Sequence, residues 1–141
     1  MHRRPLGSGR RLAFLAGILL VVGSLLPWYT AGGAGDLPAT VFNAFSGTGF
    51  MSFLAGLGTL ALIALPYAMG DHPTSIDSGL AFGLLAVVAI AGVVLWIPTG
   101  GVLADPSGLL PNRAYGYWIA VAGAALLGRA AFEIYLERDR R

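Results

Sequence analysis

Charge is the first thing this sequence lacks. Only 11% of its 141 residues are Asp, Glu, Lys or Arg, whereas soluble domains carry roughly 25%. A surface facing water cannot be covered with so few ionic groups, so the expected solvent is lipid. Cysteine is absent, which excludes disulfides, thiolate metal sites and cysteine nucleophiles. Lysine is also absent, and all nine basic residues are arginine. That rules out a lysine Schiff base of any kind. No Asp, Glu, His or Arg falls near the middle of a long apolar run, which argues against a proton relay, a voltage sensor and most ion-coupled transport. Histidine occurs only at His2 and His72, outside those runs, so haem ligation between helices is not expected. The net charge of +2 is too small to suggest nucleic-acid binding.

What is present is apolar and organised. Four stretches, at about residues 12–28, 49–69, 77–97 and 115–136, are long enough to cross a bilayer, for which roughly 17–25 apolar residues are needed. They are apolar all round, as in AFGLLAVVAIAGVVLWI, and lack the two-residue alternation of a membrane β-strand. A backbone in lipid must satisfy its own N–H and C=O groups. The expected fold is therefore an all-α integral membrane four-helix bundle forming one domain (12–136), between a basic tail (1–11) and a charged tail (137–141).

The ends of the spans carry their own marks. Pro27 closes the first run, Pro66 lies near the end of the second, and Pro98 closes the third. Trp28, Tyr29, Trp96 and Trp118 fall at one end of the expected bundle and are read as membrane-interface anchors, because Trp and Tyr rings favour the headgroup zone. Arg3, Arg4, Arg10, Arg11, Arg129, Arg138, Arg140 and Arg141 lie toward the opposite end, and only Arg113 shares the tryptophan end. The positive-inside rule then puts both termini in the cytoplasm. All-arginine basic usage, with abundant glycine and alanine, suggests a high-GC bacterium, and hence its inner membrane. A basic start, an apolar core and small residues after Trp28 also suit a secretory signal, but the core exceeds the usual ~7–15 residues. A retained helix is the expectation.

The loops are unequal. The inner link is short and polar, with Thr74 or Ser75 as caps and Asp71, His72 and Asp77 as solvated residues rather than a metal site. The outer loops, 29–48 and 98–114, are rich in turn-forming Gly, Pro and Asp. In the first, a short helix from Pro38 would place Phe42 and Phe45 on the membrane surface. In the second, Asp105, with Asp36 of the first, is placed to pair with Arg113. No histidine lies on that side, so a Ser–His pair is not available there.

Small residues recur at helical spacing: Gly79 and Gly83, then Ala120, Ala124 and Gly128, with Ala13/Gly17 and Ser52/Gly56 in the first two spans. Such rows let helix backbones approach closely. They are read as internal packing seams or as a partner interface. Arg129 and Glu133 stand four residues apart and are read as a cytoplasmic interface pair. In layout the chain resembles claudin-like tetraspans, but that family's outer-loop cysteines are missing and the resemblance implies no site. The functional expectation is a non-catalytic accessory or scaffolding subunit without cofactor, whose partners are the bilayer and other subunits of a bacterial membrane complex. The alternative is an oligomeric protein that binds or moves lipid or another small hydrophobe.

Overall fold

The computed structural model describes residues 7–33, 35–68, 78–100, 102–103 and 105–139, except the side chains at 78, 138 and 139. Within these residues the protein is mostly helical. Helix α1 (Ser8–Leu25), α2 (Phe50–Ala68), α3 (Ser78–Thr99) and α4 (Tyr115–Asp139) are each long and apolar enough to span a membrane. They close a ring in which each helix packs against the next and α4 returns against α1. The polar inner link, with Asp71, His72, Thr74, Ser75 and Asp77, lies outside the described residues.

The first helix is displaced from its expected span at both ends. It begins at Ser8, so Arg10 and Arg11 ride on its first turn. Arginine has good helix propensity, and the helix runs back through Gly9, packed against Ile134, to its N-cap at Gly7. It ends at Leu25 because Pro27 disfavours the α conformation in the residue before it, and Leu26 is extended at φ −86°, ψ 164°.

The first outer loop differs from the expected short helix. Strand β1 (Tyr29–Ala31) pairs antiparallel with β2 (Thr40–Phe42), Tyr29 opposite Phe42. The β-branched and aromatic run Thr40-Val41-Phe42 suits a strand. Gly32, Gly33 and Gly35 adopt positive φ values of 75°, 79° and 67° in the connection, a region costly for other residues. A 3-10 turn at Ala44–Ser46 follows, capped by Asn43, whose side chain accepts from the Phe45 amide at 3.1 Å. A second 3-10 turn, Pro106–Leu109, leads toward α4.

The closest packing joins α1 to α4. A methyl group added at Gly23 would lie 2.8 Å from the Ala120 amide nitrogen, and one at Gly116 would lie 2.6 Å from the Leu26 carbonyl. Gly123 lies against Leu20, and Gly9 against Ile134. The seam on α4 is thus Gly116, Ala120, Gly123, Leu127, Ala130 and Ile134, all buried. Helices α1 and α2 meet at Gly17 and Gly56, and α2 meets α3 where Gly92 rests on Ser52. Lipid gives no hydrophobic drive for helix association, so this close van der Waals fit must hold the helices together.

The buried polar side chains among the described residues are Ser24, Ser52 and Thr59. All three hydroxyls donate to backbone carbonyls. Ser24 and Thr59 reach back four residues to Leu20 and Ala55 at 2.7 Å each, and Ser52 crosses to Ala89 of α3 at 3.1 Å. No charged residue is buried among the described residues.

Candidate functional site

Two regions concentrate polar or aromatic chemistry. The first is the cap formed by the outer loops. Trp28 packs edge-on against Trp96 and Tyr117, with ring centroids 5.4 and 5.3 Å away. Tyr29 stacks at an angle on Trp96 and Phe42. Trp28 and Trp96 are 0% and 1% exposed and Tyr29 is 5% exposed. The expected headgroup anchors Trp28, Tyr29 and Trp96 are therefore core residues that plug the bundle mouth. Aromatic rings carry large apolar area and favour edge-to-face contact, and the fold brings three distant segments together to make it. Trp118 differs: it is 44% exposed, and its indole N–H donates to the Leu109 carbonyl at 2.9 Å.

The plug is held by hydrogen bonds to backbone. The Trp28 indole donates to Gly23 at 2.9 Å, the Tyr29 hydroxyl to Asp105 at 3.0 Å, and Thr30 to Arg113 at 2.9 Å. The Trp96 indole N–H and the Thr48 hydroxyl are buried without a partner among the described residues. Arg113 donates to the Gly32 carbonyl, so it ties the hairpin down instead of closing an ion pair with Asp36 or Asp105. The carboxylate of Asp105 accepts from the Ser107 hydroxyl at 2.6 Å and from its amide at 3.1 Å. These bonds, helped by the Arg113 charge, hold its pKa below the ordinary value.

The second region is the opposite end, where α1 begins and α4 finishes. The Arg129 Nε donates to Glu133 at 3.2 Å. The Ser8 hydroxyl lies 3.3 Å from carboxylate oxygens of both Glu133 and Glu137. These acids from α4 stand beside the positive N-terminus of α1, where negative charge is stabilising. Ser8 and Glu137 carry no pattern that would relate them across 129 positions of sequence. Alongside, the faces of α1 and α2 leave a groove of about 360 Å³ walled by Arg11, Phe14, Leu60, Ile63, Ala64 and Tyr67.

The small-residue rows divide. Ala120 and Ala124 are buried. A methyl group at Gly83 or Gly128 would meet nothing within 4 Å, so neither glycine lies in a seam within the chain. Gly79 is buried. The α3 seam runs instead through Gly92, which no GxxxG pattern marks. Among the described residues no three His, Cys, Asp or Glu side chains gather as metal ligands. No family model, no curated protein and no solved structure matches this chain.

Proposed function

We propose that this chain is a small non-catalytic subunit of a bacterial inner membrane, with both termini in the cytoplasm, that stabilises or anchors a larger complex. The observation that carries this reading is the surface of the cap. Leu37 and Leu103 are 70% and 74% exposed, and Val41, Phe45 and Leu110 are about half exposed. These side chains lie outside the four candidate spans. Strand β2, on which Val41 sits, forms the outer edge of a two-stranded sheet, and such edges accept a further strand. The interior supports the same reading, because among the described residues the buried Ser24, Ser52 and Thr59 side chains spend their hydroxyls on backbone carbonyls.

Mild detergent extraction followed by affinity purification tests it. A stoichiometric partner is expected that is lost with Val41→Arg or Leu103→Glu, while the variant itself melts as the wild type does. A stable monomer without a partner would count against the reading. Orientation is tested separately. The chain has no cysteine, so single cysteines at Ser8 and Leu103 report cleanly. An impermeant maleimide added outside intact cells should label Leu103→Cys and spare Ser8→Cys. A second reading, binding of lipid or another small hydrophobe, is favoured by the groove between α1 and α2.

A further inference from the structure

The groove between α1 and α2 has a physical origin. The two helices come closest where Gly17 meets Gly56: a methyl group at Gly56 would lie 3.1 Å from the Gly17 carbonyl, and one at Gly17 would lie 3.0 Å from Leu60. Helices that cross at an angle diverge away from the crossing. Toward the start of α1 and the end of α2 the space between them is open and lined by both helices. Its volume of about 360 Å³ lies within the range of ligand sites, roughly 300–1,000 Å³.

The walls are graded along the bundle axis. Phe14, Leu60, Ile63 and Ala64 are apolar and deeper in the span. Arg11 and Tyr67 sit at the rim, one in the first turn of α1 and the other in the last turn of α2. Arg11 is the single charged residue in the lining, and it has no ion pair among the described residues. Arg129 is engaged by Glu133, and Glu133 and Glu137 face Ser8. A guanidinium with no ion pair among the described residues, above an apolar trough, matches a molecule with an anionic head and a hydrocarbon tail.

We propose that this groove is a binding site for one anionic phospholipid of the leaflet on this side of the bundle. Arg11 donates to the phosphate, the Tyr67 hydroxyl lies at headgroup level, and an acyl chain runs down Phe14, Leu60, Ile63 and Ala64. Guanidinium groups suit phosphate because their planar fork offers two parallel N–H donors. The proposal deepens the lipid-binding reading by naming the site and headgroup charge. It does not need a protein partner, so its failure and that of the subunit reading are separable.

The test uses the full chain, purified and reconstituted in phosphatidylcholine vesicles containing a trace of spin-labelled phosphatidylglycerol or spin-labelled phosphatidylcholine. Electron paramagnetic resonance reads the motionally restricted fraction of each. Wild type should prefer phosphatidylglycerol by about fivefold, as one arginine near an anionic surface contributes about 1 kcal/mol. Arg11→Gln should reduce the preference to near unity. Arg10→Gln, one position round the helix and not in the lining, should leave it intact. Ala64→Trp should fill the trough and lower the restricted fraction while retaining Arg11. Full selectivity in Arg11→Gln would overturn the proposal. So would equal losses in Arg10→Gln and Arg11→Gln, which would mean diffuse charge attraction without a site.

Discussion

Replacing Gly23 by alanine should loosen the bundle, and the size of the effect follows from three distances. The new methyl group would stand 2.8 Å from the Ala120 nitrogen, 3.0 Å from the Gly116 oxygen and 3.1 Å from Ile119 Cγ2. Two of these neighbours are backbone and cannot turn aside. Relief therefore requires α1 and α4 to separate by roughly half an ångström, and a gap of ~0.5–1 Å already forfeits a quarter to a half of a dispersion contact. Overpacking of this kind costs about 1–3 kcal/mol. Alanine offsets up to about 1 kcal/mol of that through helix propensity, which leaves a net loss on the order of 1 kcal/mol. Gly83→Ala supplies the control, because its methyl group meets nothing within 4 Å and only the propensity gain remains. The assay is reversible unfolding in mixed micelles with increasing mole fraction of dodecyl sulfate, followed by helical circular dichroism. Gly23→Ala should unfold at a lower fraction than wild type, and Gly83→Ala at the same or a higher one. If both variants matched wild type, the close α1–α4 seam would not be what holds these helices together.

Three other outcomes follow from the same structure. Trp28→Phe should destabilise more than Trp96→Phe in the same assay, because Trp28 gives up its bond to Gly23 while Trp96 sheds a buried N–H that has no partner; an unsatisfied buried donor costs about 1–3 kcal/mol. Ser52→Ala removes the hydroxyl that links α2 to Ala89 of α3, and should cost about 0.6 kcal/mol, the mean for interhelical hydrogen bonds in membrane proteins. Asp105 has its pKa lowered by the bonds from Ser107, so its capping contribution is complete above its ordinary value of 3.8. That contribution is lost as pH falls through the lower native value. Amide exchange at residues 107–110 should rise over that acid range, and Asp105→Ala should abolish the pH dependence.

The fold was legible wherever one physical demand dominated. Four long apolar runs in a chain this poor in charge admit only helices, because backbone groups in lipid must pair within the segment. Hence the four helices lie close to the expected spans. The Arg129–Glu133 pair was also legible, since helical geometry alone puts i and i+4 side by side. Boundaries set by a single local conflict were harder to read. Pro27 shortens α1 by acting on Leu26, and the start of α1 at Ser8 reflects arginines that tolerate helix as well as tail.

What the tertiary structure decided were pairings among segments far apart in the chain. Trp28 and Trp96 carry the sequence marks of headgroup anchors, yet each is buried against the other and against Tyr117. Gly83 carries the GxxxG mark and Gly92 does not, yet Gly92 is the one that rests in the α2 seam while Gly83 stays open. The hairpin of the first outer loop needed two three-residue strands to find each other across a glycine turn, and so short a pattern is also compatible with a helix. Arg11 reads in the sequence as one of four basic residues before a span. Its place above an apolar groove exists only because the fold packs α1 against α2, with Gly17 on Gly56 and the groove beside them.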